Sequence, residues 1–91
     1  MKKISINNFI KVKLTDHGKD IYFHRNDDLV AEYPLLRNQL KPHFPKVDEN
    51  GFTEFQLWDF IQLYGPHIYM GGENVIEDIM IYIDEKYLKE E

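Results

Sequence analysis

The chain has 91 residues, with 11 Lys and Arg against 16 Asp and Glu, a formal net charge of −5 and no cysteine. A chain of this length has one modest core, so separate cofactor and substrate domains are excluded. The lack of cysteine excludes disulfides, a thiolate nucleophile and cysteine-ligated metal sites. We expect a single cytoplasmic domain over residues 1–91, with frayed ends at 1–8 and 85–91, and neither signal peptide nor membrane span.

Charge is distributed unevenly along the chain. Residues 1–46 hold nine Lys and Arg and five Asp and Glu, a net of +4, whereas residues 47–91 hold two and eleven, a net of −9. Such a gradient is typical of a nucleic-acid-binding end or an acidic tail, and equally of two halves that face each other. A charge-guided partner of the acidic half is expected to be basic. A homodimer joined through the oppositely charged halves is an alternative.

The first predicted element is a β-strand. Over Phe9–Leu14, three aliphatic residues alternate with Lys11 and Lys13. This period of two predicts a half-buried strand, and lysines on its solvent face are typical of a sheet edge.

The segment after this strand has two interpretations. As a helix, Thr15 or Asp16 caps the N-terminus and apolar residues recur at three- and four-residue spacings. As a turn, Asp16–Lys19 closes a hairpin onto a second strand, Ile21–Arg25. We favour the helix because no further turn signal interrupts the sequence that follows.

The middle of the chain predicts a short helix and a loop. Pro34 does not fit inside an unbroken helix, so a second short helix is expected to begin there and run through Leu40. Pro45–Gly51 is the clearest loop. Its last part, Asp48–Gly51, superficially resembles a calcium loop, but it lacks the alternating oxygen ligands and the bidentate glutamate, so we expect a turn.

The next element is the central helix. Thr53 with Gln56 fits a capping box directly before an apolar run. The run ends at Tyr64, where Gly65 is followed by proline, a pattern typical of helix C-termini. The sequence therefore predicts a helix opened by Thr53 and closed at Tyr64.

The last apolar segment again has two interpretations. Ile79–Ile83 is rich in β-branched residues, which predicts a strand buried on both faces. Alternatively, Asn74 and Glu77 cap a helix that spans the same residues. We favour the strand because Phe9–Leu14 needs a partner for its backbone groups. The predicted fold is α+β, a small two-stranded sheet packed against two or three helices.

No motif for catalysis is present. The only serine, Ser5, has no neighbouring histidine, and there is neither a phosphate loop nor a nucleophile elbow. On the helical interpretation His17, Asp20, His24 and Asp28 line one face, a spacing that suits a divalent ion. In so charged a chain a solvated face with Asp–His pairs is the simpler interpretation. We expect no enzymatic activity, no bound metal and no cofactor.

Two aromatic residues of the predicted central helix lie outside its apolar arc. Phe55 and Trp58 fall on the side that carries Glu54 and Asp59. Either neighbouring segments cover these rings, or they form a partner-binding surface with Trp58 as the anchor and the carboxylates at the rim. All four are therefore candidate partner-binding residues. The predicted core arc consists of Leu57, Phe60, Ile61 and Tyr64.

Nucleic-acid binding is the alternative function. The passage Leu14–Gly18 followed by Ile21 is similar to the strand-to-helix edge of winged-helix domains. Lys11, Lys13 and Lys19 would then contact phosphates. The net charge and a central helix without basic residues argue against this alternative.

Two stretches carry a resemblance to a known group. Val12–Tyr22 and Gly51–Gly65, together 26 residues, resemble short uncharacterised proteins from phages and prophages of Firmicutes. The resemblance brings no site residues. It implies a phage-type accessory protein in the cytoplasm of a bacterial host, a setting in which small acidic proteins often act by stoichiometric binding, blocking a host or defence enzyme.

Overall fold

The computed structural model describes residues 1–90 and has an α+β fold. None of the helices within this range has the length and apolar character needed to cross a membrane. The α+β prediction is confirmed, although the sheets hold more strands than expected. In chain order the elements are β1 (Lys2–Lys3), β2 (Phe9–Val12), α1 (Asp16–Phe23), α2 (Asp27–Glu32), β3 (Thr53–Gln56), α3 (Leu57–Tyr64), β4 (Tyr82–Ile83) and β5 (Lys89–Glu90).

The main sheet has three antiparallel strands in the order β3-β2-β4. Ile10 of β2 pairs with Phe55 on one side and Ile83 on the other, while Lys11 pairs with Glu54 and Tyr82. The predicted strand and its pairing with the last apolar segment are confirmed. Its predicted edge position is wrong, because the lysines mark the outer face of a central strand.

The third strand comes from residues that the capping-box pattern assigned to the central helix. Thr53–Gln56 pairs with β2, and α3 begins at Leu57 with Gln56 in extended conformation as its N-cap. Burial of Thr53 and Phe55 alternates with exposure of Glu54, which is the period of a strand. Pairing with β2 provides hydrogen-bond partners for backbone groups of Thr53–Gln56 that a helix cap would leave bonded to water. The contact with β2 therefore outweighs the local capping pattern.

The last apolar segment is shorter as a strand, and more exposed, than predicted. Only Tyr82 and Ile83 pair with β2, and a 3₁₀ turn over Glu77–Ile79 precedes them. Burial on both faces is wrong, because β4 lies at the edge of the sheet and both of its residues are exposed. The alternative of a helix over this region is also not observed.

Helix α1 confirms the helical interpretation of the segment after β2. The Thr15 hydroxyl accepts the N–H of Gly18 at 3.1 Å and donates to the carbonyl of Asn74 at 2.6 Å. The helix ends at Phe23, and α2 follows as a separate short helix. The predicted helix at Pro34 is reduced to one 3₁₀ turn, Pro34–Leu36.

Thr15→Ala is expected to destabilise the protein by about 1–2 kcal/mol, because it removes both the N-cap bond and the tie to Asn74. Urea denaturation followed by circular dichroism measures the change. Thr15→Ser keeps the hydroxyl and is expected to lose less than half as much. Equal losses for the two variants would contradict the assigned role of the hydroxyl.

The core lies between the inner face of the sheet and helices α1 and α3. Ile61, placed on the core arc by helical periodicity, is instead 54% exposed, whereas Leu63 packs partly against the core. The helix follows β3 directly, so the sheet fixes its rotation. The buried apolar residues are Ile10, Val12, Leu14, Phe55, Phe60, Tyr64, Val75 and Ile76.

The ends of the chain, for which fraying was expected, are paired with each other. Lys2 and Lys3 pair antiparallel with Glu90 and Lys89, and Lys2 Nζ lies 3.5 Å from Glu90 Oε1. Both strands have two exposed residues. The basic and acidic ends of the sequence therefore meet. Residue 91, part of the same prediction, lies outside the described residues.

Candidate partner-binding surface

The protein exposes more surface than a compact monomer of its size. Its accessible area is 7148 Å², whereas the scaling for folded monomers of 11.0 kDa gives about 5,600 Å². Its radius of gyration is 14.9 Å, against about 12 Å expected for 91 residues. Large apolar side chains contribute to this exposed area, among them Trp58, Ile61 and the run Ile79–Ile83.

One exposed apolar group lies at the start of α3. Trp58 is 41% exposed and Ile61, one turn later on the same helix face, is 54% exposed. The N–H of Trp58 donates to the carbonyl of Ile6 at 3.0 Å, and Ile6 is itself exposed. We call Ile6, Trp58 and Ile61 the α3 patch.

The backbone of the α3 patch is fixed by the N-terminal segment. The first N–H groups of a helix have no partner within it. Here the N–H of Leu57 donates to the carbonyl of Asn8 at 2.9 Å, next to the bond that joins Trp58 to Ile6. The Gln56 side chain donates to the carbonyl of Asn7 at 3.1 Å. The backbone at Trp58 is therefore held at several points, so binding through this residue does not have to order the main chain.

The four residues predicted as one binding surface lie in separate places. Phe55 is 5% exposed, and its ring contacts those of Tyr22, Phe60 and Tyr64 at centroid distances of 5.8–6.1 Å. Its assignment as a partner-binding residue is therefore wrong. The alternation across Thr53–Gln56 was the signal that could have placed this ring in the core.

The two predicted carboxylates also lie apart. Glu54 is on the outer face of the sheet opposite Lys11. Asp59 lines a cleft of about 840 Å³ between α3 and the α1–α2 junction. Of the predicted set, Trp58 alone is a large exposed apolar residue, and its apolar neighbours Ile6 and Ile61 were not predicted.

The cleft at Asp59 is acidic. Asp20 and Asp28 line it together with Asp59, and Arg25 is the one lysine or arginine in its wall. The Arg25 guanidinium stacks 4.0 Å from the Tyr22 ring centroid and donates to the Tyr22 carbonyl at 2.8 Å. Its charge is thus held against the protein, and the three carboxylates favour a cationic group in the cleft.

The histidine–carboxylate stripe does not converge on one point. His17 pairs with Glu73 at 3.3 Å, and His24 contacts Asp20 at 3.6 Å and Asp27 at 2.7 Å. Across residues 1–90 no group of three or more His, Asp or Glu side chains is arranged to hold a metal ion.

The lysines predicted to contact phosphates are divided between two elements. Lys11 is on the outer sheet face beside Glu54, and the Lys13 ammonium lies 5.0 Å from the Phe52 ring centroid on that face. Lys19 belongs to α1 and does not join them. The outer face of the sheet therefore presents Lys11 and Lys13 near aromatic rings, and the Glu54 carboxylate lies opposite Lys11 on the neighbouring strand.

Two titrating groups have structural roles. Burial raises the pKa of Tyr64, whose hydroxyl donates to the Gly18 carbonyl at 2.9 Å, so this side chain stays neutral and ties α3 to α1. The N–H groups of Phe52 and Asn50 donate to the Asp48 carboxylate and lower its pKa. Because the folded pKa of Asp48 is lowered, its stabilising effect is present above its unfolded pKa and is lost as the pH falls through the folded value.

Comparison with known proteins gives no match: no protein-family profile, curated protein or solved structure is similar to the chain. The stretches Val12–Tyr22 and Gly51–Gly65, for which the sequence suggested a resemblance to phage proteins, lie in contact with each other. One ends in Tyr22, whose ring is 6.1 Å from that of Phe55, and the hydroxyl of Tyr64 binds the carbonyl of Gly18. Together they supply five of the eight buried apolar residues, and the second stretch also carries the exposed Trp58 and Ile61.

Proposed function

We propose that this protein acts by stoichiometric binding to another protein, with Trp58 as the anchor of the interface. The observation that carries the proposal is the excess of accessible surface, to which exposed apolar side chains contribute. A standard interface buries about 800 Å² on each partner. The excess of about 1,500 Å² over the monomer scaling is large enough to supply such an area.

The α3 patch has the composition of an interface centre. Tryptophan is enriched among residues whose truncation costs a complex 2 kcal/mol or more, and such residues cluster in apolar surroundings. Trp58 shares its helix face with the exposed Ile61, and its N–H binds the carbonyl of the exposed Ile6. Docking would bury its ring without ordering a mobile segment.

The charge of the surrounding surface favours a basic partner. Asp59 follows Trp58 in the sequence and faces the acidic cleft, whose carboxylates outnumber its single arginine. Opposite charges at the rim of an interface speed encounter and reject wrong partners. The role that fits best is a phage-type accessory protein in a bacterial cytoplasm that covers, and so inhibits, a host or defence enzyme.

Nucleic-acid binding is the second candidate function. The outer face of the sheet supports it, because Lys11 and Lys13 lie near the rings of Phe52 and Tyr82, a mixture found on single-strand-binding surfaces. Glu54 lies beside Lys11, so the face lacks the continuous positive charge that phosphate binding requires. The protein partner is therefore preferred.

Capture from a Firmicutes lysate, carried out with and without nuclease treatment, tests the proposal. The immobilised wild-type protein is expected to retain a protein in equimolar amount, and Trp58→Ala is expected to lose it. Leu35→Ala is the matched control, because Leu35 is 95% exposed and lies outside the α3 patch. Retention of nucleic acid alone, or equal capture by the wild type and Trp58→Ala, would contradict the proposal.

A further inference from the structure

Five consecutive apolar residues lie exposed at the edge of the main sheet. They are Ile79–Ile83, which we call the edge segment, and their exposed fractions lie between 40% and 71%. Tyr82 and Ile83 pair with β2 on one side, and no strand within residues 1–90 pairs with their other side. An apolar, β-branched segment at an open sheet edge is a template for an added strand.

The backbone at the start of this segment is strained. Ile79 has φ of 55° and Asp78 has φ of 57°. For a β-branched residue this left-handed conformation is unfavourable, and the Ile79 side chain is exposed, so little packing offsets it. Met80, the next residue, is already extended at φ −114° and ψ 135°. The turn takes up the surplus residues between the Leu14–Ile76 bridge and the Ile10–Ile83 pair, so the extended backbone that an added strand can pair with begins at Met80.

The charges around the edge segment identify the occupant. Glu77 and Asp78 precede it, and Asp84 and Glu85 follow it. If two copies paired antiparallel about Ile81, Asp78 would oppose Asp84 and Glu77 would oppose Glu85. Like charges directly opposed across strands are destabilising, so these acidic flanks disfavour a second copy and favour a strand with basic flanks.

The geometry points to β-strand addition at the edge segment by a partner segment with an apolar, extended centre and Lys or Arg on both flanks. This inference rests on the proposed protein-binding function and names a second surface and the chemistry of the partner. Main-chain hydrogen bonds along the edge hold the partner strand, alternate side chains pack against the edge segment, and the acidic flanks select the charge.

Synthetic peptides test the inference directly. The first has the core Val-Thr-Ile-Thr-Val with two lysines at each end, and the second has the same core with two glutamates at each end. The full-length protein is titrated with each peptide, and the amide resonances of residues 77–85 are followed by NMR. The lysine-flanked peptide is expected to bind at least about tenfold more tightly, with shifts centred on the edge segment and weaker binding as salt rises.

Two sets of variants locate the site. Met80→Lys places a charge on the open edge and is expected to abolish binding, while Leu35→Lys adds the same charge elsewhere and is expected to bind like the wild type. Glu77→Lys with Glu85→Lys leaves two carboxylates and two ammonium groups on the flanks, so their charges cancel, and it is expected to abolish the preference between the two peptides. These glutamates are exposed, so the fold is expected to tolerate the change.

The outcomes separate this inference from the proposed function. Absence of peptide binding, or shifts confined to the α3 patch, would overturn edge docking, while the Trp58-dependent capture of a protein would stand. Self-association that Met80→Lys abolishes would also overturn it, because a second copy would then occupy the edge. Loss of the peptide preference in the double glutamate variant supports it, whatever the result of the capture experiment.

Discussion

Gly18→Ala is expected to destabilise the protein by about 3 kcal/mol, at the upper end of the range for overpacked cores. A Cβ on Gly18 would overlap with the carbonyl oxygen of Val75 and lie 3.1 Å from its carbonyl carbon and 3.2 Å from Leu14 Cδ2. Backbone cannot move aside as a flexible side chain can. The whole of α1 would have to shift away from the segment that follows Asn74.

The effect of Gly18→Ala extends beyond one contact, because the close approach of Gly18 to Val75 joins three parts of the core. The Val75 carbonyl also accepts the N–H of Thr15 at 3.0 Å, and the Gly18 carbonyl accepts the Tyr64 hydroxyl. A displaced α1 therefore weakens its ties to both the Val75 segment and α3. The expected loss is a large part of the roughly 5–14 kcal/mol typical of a domain this size.

Gly65→Ala is the matched control for Gly18→Ala. Gly65 has helical dihedrals, with φ of −49°, and the nearest atom to an added Cβ is Ile61 Cγ2 at 3.9 Å. Pro66 follows directly, and a proline ring disfavours helical dihedrals at a preceding alanine, so we expect a loss of up to about 1 kcal/mol, well below that of Gly18→Ala. Urea denaturation of both variants gives the comparison. Equal stability of Gly18→Ala and Gly65→Ala would contradict the packing of α1 on Val75.

Phe55→Ala is expected to cost about 3–5 kcal/mol, the usual range for removing a buried phenyl ring. The ring is almost fully buried and lies among Tyr22, Phe60 and Tyr64, so its loss leaves a cavity between the sheet and both helices. Calorimetry or urea denaturation measures the effect.

Trp58→Ala provides the contrast to Phe55→Ala. Its ring is 41% exposed, and we expect a loss of about 1 kcal/mol and an intact fold. Helical periodicity assigned both rings to one binding surface, whereas in the structure Phe55 is buried and Trp58 is exposed. A loss at Trp58 as large as the loss at Phe55 would mean that Trp58 is a core residue and that the α3 patch is not a free surface.

Local patterns predicted those elements whose signals are complete within a few residues. The alternation over Phe9–Leu14 and the Thr15 cap each specify backbone geometry and burial together, and both are observed. The helix start predicted from the capping box at Thr53 was wrong, because β2, more than 40 residues earlier in the sequence, forms backbone pairs with the same residues. No local pattern reports that partner.

The candidate surface was predicted only at its anchor. Helical periodicity counted from Thr53 placed Phe55 and Trp58 on one face, but the change from strand to helix at Leu57 sends Phe55 inward and leaves Trp58 outside. Ile6 joins Trp58 through a backbone bond across some fifty residues of sequence. The edge segment was predicted to be buried, because an apolar run does not indicate whether its strand lies at the edge or in the middle of a sheet.

The fluorescence of Trp58 tests the central claim most directly, because it is the only tryptophan in the chain. The captured protein is purified and titrated into the wild type, with excitation selective for indole and a blank titration to subtract the partner's own signal. The account expects the emission of Trp58 to shift to shorter wavelength, to become less accessible to a soluble quencher and to saturate at an equimolar ratio. An emission that stays unchanged while the complex forms would show that the ring is not in the interface and would contradict the account.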